Sequence, residues 1–93
     1  MNIYLITFGF LKNEERAKSI VDIIKEYGQW ARITPYSWCI KAEDLKTAEI
    51  RDSIISKFTL QDGERLMVLN ITDSPWASYN LPKPVADWLK EKA

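Results

Sequence analysis

The sequence contains no histidine and only one cysteine, Cys39. Without histidine, the usual histidine general base and most transition-metal sites are excluded. A single cysteine cannot form an internal disulfide or a cysteine-based metal cage. Cys39 alternates with the apolar Trp38 and Ile40, so we interpret it as a small packed residue rather than a nucleophile.

Long apolar runs and an excess of charge of one sign are also missing. No apolar run approaches the roughly 20 residues that cross a bilayer, and the amino terminus lacks a basic region followed by an apolar stretch, so a cytoplasmic location is expected. Thirteen basic residues balance thirteen acidic ones. This balance argues against strong, sequence-independent binding of nucleic acid, although a local basic patch is compatible with it.

The pattern of apolar residues predicts strands and helices in the order βαββαβ. The 93 residues are enough for one core. The predicted strands are residues 3–10, 29–34, 36–42 and 65–71, and the last of these has no alternation, so both of its faces should be covered. One helix starts at Asn13 and stops at Gly28; the other starts near Asp44 or Thr47 and ends near Phe58. A loop and a short helix follow.

This order predicts an α+β, ferredoxin-like sandwich, with two helices on one face of a four-stranded antiparallel sheet. Residues 1–72 would form this domain. Residues 73–93 would be a tail whose short helix packs on the body or on a second copy.

The first predicted strand is apolar on both sides, and two helices can cover only one of them. Ile3 and Leu5 point one way, and the alternate residues point the other way. Burial of such side chains is worth roughly 1.5–3 kcal/mol each, so a second cover is expected. We therefore predict a homodimer through the open sheet face, with an interface formed by Tyr4, Ile6, Phe8, Trp76 and Trp88.

Five short segments resemble a known family. They are Tyr4-Leu5-Ile6-Thr7-Phe8, Gly28-Gln29-Trp30, Ser37-Trp38-Cys39-Ile40-Lys41, Ile50-Arg51-Asp52 and Glu64-Arg65-Leu66-Met67-Val68. In their order and spacing they resemble the ferredoxin-fold proteins of the CRISPR spacer-acquisition nuclease family and their VapD-like relatives, closest to an uncharacterised bacterial and phage branch. The resemblance covers roughly residues 1–72 and implies a symmetric dimer.

The best-known members of that family cleave nucleic acid with the help of a divalent metal ion. An aspartate at the end of their first strand binds this ion. The corresponding segment here is Thr7-Phe8-Gly9-Phe10, and Gly9 offers no ligand. Glu14 and Glu15 are explained by the positive end of a helix dipole, and Asp73 by a solvated turn. We therefore predict no metal and no catalytic residue, with Mg²⁺ or Mn²⁺ bound by displaced ligands as the alternative.

Four residues are candidates for contacting a partner: Lys12, Arg16, Arg32 and Trp38. Lys12 and Arg16 at the start of the first helix, and Arg32 in the first strand of the hairpin, could contact phosphate. Trp38, like Trp30, could stack on a base. The alternative interpretations are solvated charges for the cations, and core or dimer interface for the rings.

The leading hypothesis is a non-catalytic, homodimeric, ferredoxin-like binding or adaptor protein whose partner is a protein or a nucleic acid. The family resemblance implies a role in bacterial defence or in phage counter-defence. The alternative is a metal-dependent endonuclease, acting on RNA or DNA, with displaced ligands. A small-molecule sensor is a third hypothesis, and no glycine-rich phosphate loop supports it.

Overall fold

The computed structural model describes residues 1–9 and 13–91, and Lys12 lies outside them. Its elements alternate along the chain much as predicted. They are β1 (Asn2–Gly9), α1 (Glu14–Lys25), β2 (Gln29–Thr34), β3 (Ser37–Ala42), α2 (Thr47–Lys57), β4 (Arg65–Asn70) and α3 (Lys83–Lys90). Within this part of the chain, no helix is long and apolar enough to cross a membrane.

The four strands form one open sheet in the order β2-β3-β1-β4, and each neighbouring pair is antiparallel. Ile6 at the middle of β1 lies between Trp38 of β3 and Val68 of β4. The molecule is therefore a small α+β fold in which β2 and β4 are the two edge strands. This architecture is compatible with the ferredoxin-like prediction.

Helix α1 begins and ends where the sequence predicted. The Asn13 side chain accepts a hydrogen bond from the backbone N–H of Arg16 at 2.9 Å, which satisfies one of the free amides of the first turn. After the helix, Gly28 adopts φ = 88°, a left-handed conformation that favours glycine. Ile20 and Ile24, one turn apart, are both fully buried against the sheet.

The core lies between the sheet and helices α1 and α2. Its members are apolar side chains from one face of β1 and β3 and from the inner faces of both helices: Tyr4, Ile6, Phe8, Ile20, Ile24, Trp38, Ile40, Ile50, Ile54 and Phe58. Tyr4 is also fixed at its hydroxyl, which donates to the carbonyl oxygen of Leu45 and accepts from the Leu45 amide.

The position of Tyr4, Ile6 and Phe8 corrects the predicted dimer interface. Their exposed fractions are 0%, 0% and 5%, so they pack inside the chain and not on a surface that a second copy could reach. β1 has apolar side chains on both sides, Ile3 and Leu5 on one and Tyr4, Ile6 and Phe8 on the other. The helices cover the second set, which contains the two aromatic rings and fills more volume.

The tail covers part of the opposite face. The Nζ of Lys41 on β3 donates to the carbonyl oxygen of Trp88 at 2.8 Å and lies 4.3 Å from the centre of the Trp88 ring. Lys41 is only 4% exposed, and its neighbours Ala31 and Cys39 are buried too. Trp88 therefore attaches the tail to the body of its own chain, whereas Trp76 is 44% exposed.

The β4 side of this face is not covered. Met67 is 59% exposed and Leu69 is 38% exposed. One chain therefore leaves this side of the strand open, and the predicted cover by a second copy stays a prediction. β4 lies at an edge, and the tail turns toward β2 and β3 instead of crossing it.

Cys39 provides a test of tail attachment. Burial raises the pKa of the Cys39 thiol to about 11, which corresponds to about 100-fold less thiolate near neutral pH than an unperturbed cysteine. We expect slow reaction with a thiol reagent such as DTNB at pH 8, and Trp88→Ala should accelerate it by releasing the tail.

The Cys39 thiol ionises at a lower pH in the unfolded chain than in the folded one. The free energy of unfolding should therefore fall as the pH rises above about 9.

The control for the DTNB test is Met67→Ala, because Met67 is 59% exposed on β4 and lies outside the cavity that Cys39 shares with the tail. It should leave the reaction rate unchanged. Equal rates for the wild type and Trp88→Ala would contradict the role of Trp88 in holding the tail over Cys39.

Candidate functional site

A groove of about 540 Å³ lies between helix α1 and the β2–β3 hairpin. The helix supplies one wall, and the hairpin supplies the other wall and the floor. Its lining is Asn13, Glu14, Ala17, Lys18, Val21, Lys25, Arg32, Pro35, Tyr36 and Trp38. We name this the α1–hairpin groove. It contains Arg32 and Trp38, two of the four predicted contact residues.

The α1–hairpin groove is locally basic although the chain is neutral. Lys18, Lys25 and Arg32 line it and Glu14 is the single acidic residue in the lining, so three positive charges against one negative leave a local excess of two. Lys18 and Lys25 are seven residues apart, which places them on the same flank of α1. Such an excess raises the local concentration of anions.

Aromatic rings lie beside these cations. The Trp30 and Trp38 rings are 5.4 Å apart and tilted by 52°, and the Nζ of Lys25 lies 4.8 Å from the centre of the Trp30 ring. Trp30 is 38% exposed, whereas Trp38 is 5% exposed and donates its indole N–H to the carbonyl oxygen of Pro35. Trp38 therefore supports the groove, and Trp30 is the ring that a ligand can reach.

Tyr36 adds a second accessible ring at the tip of the hairpin. It is 49% exposed. Its ring meets Phe8 edge to face, with centroids 5.8 Å apart. Because Phe8 belongs to the core, this contact fixes the tyrosine ring on the body of the protein, and little further ordering is needed when it binds.

Arg32 has the freedom that a binding residue needs. It lies exposed on the edge strand β2, opposite Trp38, where the pairing with β3 is irregular between Arg32 and Thr34. No hydrogen bond or ion pair ties its guanidinium to the part of the chain that the structure describes. An extra residue in an edge strand increases the local twist and re-aims the side chains beside it.

Arg16, by contrast, is a structural residue. Its Nε and Nη2 bond the two carboxylate oxygens of Glu64 at 2.8 and 2.5 Å, and Nη2 also donates to the carbonyl oxygen of Thr59. The Glu64 side chain is fully buried, and the guanidinium lies 4.4 Å from the centre of the Phe58 ring.

These hydrogen bonds to Glu64 raise the pKa of Arg16 above its ordinary value, while burial opposes them. Arg16 therefore joins α1 to the loop before β4, and its role as a contact residue stays a prediction. Lys12, the remaining predicted cation, falls outside the described residues.

The alternative metal ligands do not gather in the described ranges 1–9 and 13–91. No group of three or more His, Cys, Asp or Glu side chains there could hold an ion. Glu14 and Glu15 lie in the first turn of α1. Asp73 lies in a turn after β4 with φ = 59°.

Sequence reasoning missed Lys18, Lys25 and Tyr36, and it chose Trp38 although Trp30 is the exposed ring. The two lysines lie on the polar side of an amphipathic helix, where charged residues usually mean only solvation. Their spacing of seven residues was the available signal, but it becomes informative only once α1 is placed beside the hairpin.

Comparison with models of known protein families and with curated proteins gives no match for this chain. The resemblance to the spacer-acquisition and VapD-like proteins therefore stays a prediction.

The pair of Arg16 with Glu64 leads to a stability prediction. Arg16→Ala would remove the cation that pairs with a buried carboxylate and leave it the backbone N–H of Gln61, which does not neutralise its charge, so the variant should lower the Tm clearly. The matched control is Arg51→Ala: Arg51 pairs with Asp52 in an exposed position, and such pairs contribute at most about 1 kcal/mol. Thermal denaturation followed by circular dichroism compares the two variants. Equal, small shifts would contradict the structural role of Arg16.

Proposed function

We propose that this chain is a non-catalytic binding protein with a ferredoxin-like fold, and that its ligand is a single-stranded nucleic acid held in the α1–hairpin groove. The observation that carries the proposal is the placement of three cations and the accessible ring of Tyr36 in the lining of one groove of an otherwise neutral chain, with the exposed ring of Trp30 beside Lys25 and Trp38 of that lining.

The strand order supports the finer fold assignment. β1 lies between β3 and β4, β2 is at the far edge, and all neighbours are antiparallel. This is the arrangement expected when two βαβ units interlock and both helices cover one face. The first connection, through α1, then brings the helix against β2 and so forms the groove.

Phosphate is the group best matched to the cations. Lys18 and Arg32 have no ion pair within the described residues, so they can contact a phosphate without first breaking one. Three such contacts would give a slope of about −2 for the logarithm of the binding constant against the logarithm of salt concentration, taking about 0.7 per contact for a single strand. The affinity should be modest, because the number of contacts is small.

The aromatic rings favour single strands over duplexes. Trp30 and Tyr36 are partly exposed, so an unstacked base could stack on them, whereas a base in a duplex is already stacked on its neighbours. At Trp30, the Lys25 ammonium that lies over the ring would have to move aside, for example to a phosphate. Stacking on a protein ring is worth about 1–3 kcal/mol per base and tolerates any sequence. The combination of rings and cations is therefore typical of a site that follows a strand without reading its sequence.

The biological context in this proposal comes from the family resemblance alone. It suggests a protein of bacterial defence, or a phage protein that counters it. A protein partner would also fit an adaptor role, but it would not need rings beside cations in one groove. A metal-dependent nuclease remains the alternative function.

Binding of a fluorescently labelled single-stranded oligonucleotide, RNA and DNA in turn, tests the proposal. Trp30→Ala should raise the Kd about 5- to 150-fold, since one stacking contact is lost. Arg32→Ala should weaken binding and reduce the salt slope by about 0.7. The matched control is Lys83→Ala, because Lys83 is an exposed cation on α3 that pairs with Asp87.

Two outcomes would overturn this assignment. One is no binding of either oligonucleotide at 50 mM salt, and the other is binding that Lys83→Ala weakens as much as Arg32→Ala does. Fluorescence anisotropy at several salt concentrations gives both quantities, and circular dichroism shows that each variant is folded.

Incubation with Mg²⁺ or Mn²⁺ separates the proposal from the nuclease alternative. We expect labelled RNA and duplex DNA to remain intact, because Gly9 offers no ligand at the end of β1. Cleavage that disappears in Glu14→Gln, Glu15→Gln or Asp73→Asn would instead support displaced ligands. Cleavage that none of these changes affects would point to a contaminant.

A further inference from the structure

Strand β4 is an edge strand with an unusually apolar sequence. Leu66, Met67, Val68 and Leu69 follow one another without interruption, and Met67 and Leu69 are exposed on the open face. Edge strands are usually protected from pairing by a lysine, a proline or a bulge. None of these occurs between Leu66 and Leu69, and the pairing with β1 is regular over its whole length.

The backbone of β4 can also accept a further strand. The N–H of Ile71 donates to the carbonyl oxygen of Ile3. Every second residue before Ile71, namely Leu69, Met67 and Arg65, therefore also directs its backbone N–H and C=O groups toward β1. The remaining ones, Leu66, Val68 and Asn70, must direct their N–H and C=O groups outward. In the described part of the chain, no backbone hydrogen bond satisfies these outward groups.

One flank of helix α2 lies beside the same edge. Ala48 and Arg51 border a small groove with Leu66 and Val68. Ile55 follows at helical spacing on this flank and is 38% exposed. The other flank faces α1, where Lys57 pairs with Glu26. We name the α2 flank and the outer side of β4 together the β4 edge surface.

The charges on the β4 edge surface are self-complementary. Arg51 and Asp52 are neighbours that pair with each other, with more than half of each side chain exposed. Around a two-fold axis, the arginine of one copy can face the aspartate of the other, and the reverse holds at the same time. The Arg51–Asp52 pair has no net charge and offers one charge of each sign, which favours a second copy over a partner of one charge sign.

We propose that two copies of this chain associate through the β4 edge surface, with the two β4 strands antiparallel and Val68 opposite Val68. This register uses the outward N–H and C=O groups of Leu66, Val68 and Asn70 in both copies and makes one continuous sheet of both chains. The two α2 helices then pack side by side over the junction. Ile55 loses its exposure to water, and Arg51 of each chain faces Asp52 of the other.

This geometry differs from the open-face dimer expected from the sequence. The chain's own tail already covers β2 and β3 on that face, through Lys41 and Trp88. The β4 edge is free of such cover. The proposal does not depend on nucleic-acid binding, but it places the two α1–hairpin grooves at opposite ends of the dimer, because β2 and β4 are opposite edges of the sheet.

Sedimentation equilibrium of the full chain at 1–100 µM tests the proposal. We expect the mass of two chains for the wild type. Arg51→Asp should weaken the dimer at least tenfold, because four acidic groups then meet at the axis, and the charge swap Arg51→Asp with Asp52→Arg should restore it. Val68→Pro removes an outward N–H that has no partner in the single chain, and it should also give monomers.

The controls separate an edge dimer from an open-face dimer. Trp76→Ser and Tyr79→Ser change exposed rings of the tail and should leave the mass unchanged, while Ile55→Lys on α2 should dissociate the dimer. A wild-type monomer at 100 µM would overturn the proposal. So would a dimer that Trp76→Ser dissociates and that Ile55→Lys and the Arg51 variants leave intact. Circular dichroism confirms that each variant is folded.

Discussion

A sheet with apolar side chains on both faces has to be covered twice, and this requirement organises the molecule. Helices α1 and α2 cover the face that carries Tyr4, Ile6 and Phe8. The tail covers the β2 and β3 side of the other face, where Lys41 and Trp88 meet. On the β4 side of that face, Met67 and Leu69 remain exposed. The two regions in which we infer function, the groove and the β4 edge, are therefore at opposite ends of one sheet.

The position of α1 links stability to the groove. Ile20 and Ile24 bury one side of the helix, and Arg16 fixes its first turns to Glu64. With the helix held in this way, its next flank presents Lys18 and Lys25 toward the hairpin. The basic groove is thus a consequence of how the core is packed, and its cations need no special loop to position them.

Much of the fold could be predicted from local signals. The Asn13 cap, the stop at Gly28 and the alternation along β1 each depend on residues close together in the sequence, and the structure confirms all three. Which face of β1 meets the helices could not be predicted, because both alternating sets are apolar. The role of Arg16 was also hidden, since its partner Glu64 is 48 residues away.

Only part of the candidate site could be predicted from the sequence, because its residues come from elements that are distant along the chain. Arg32 and Trp38 belong to one hairpin and were found together, whereas Lys18 and Lys25 come from a helix whose orientation follows from packing. Charge on the polar side of a helix carries no signature of its own. Its meaning depends on which element lies opposite.

The ammonium group of Lys41 gives the carboxy-terminal segment a particular kind of attachment. A buried cation loses hydration when the tail docks, and the carbonyl oxygen and ring of Trp88 return only part of that loss. Docking is therefore less favourable than it would be over an apolar residue, and undocking lets water return to the charge. We therefore expect the tail to undock as a unit of its own, with a lower local stability than the strands of the core.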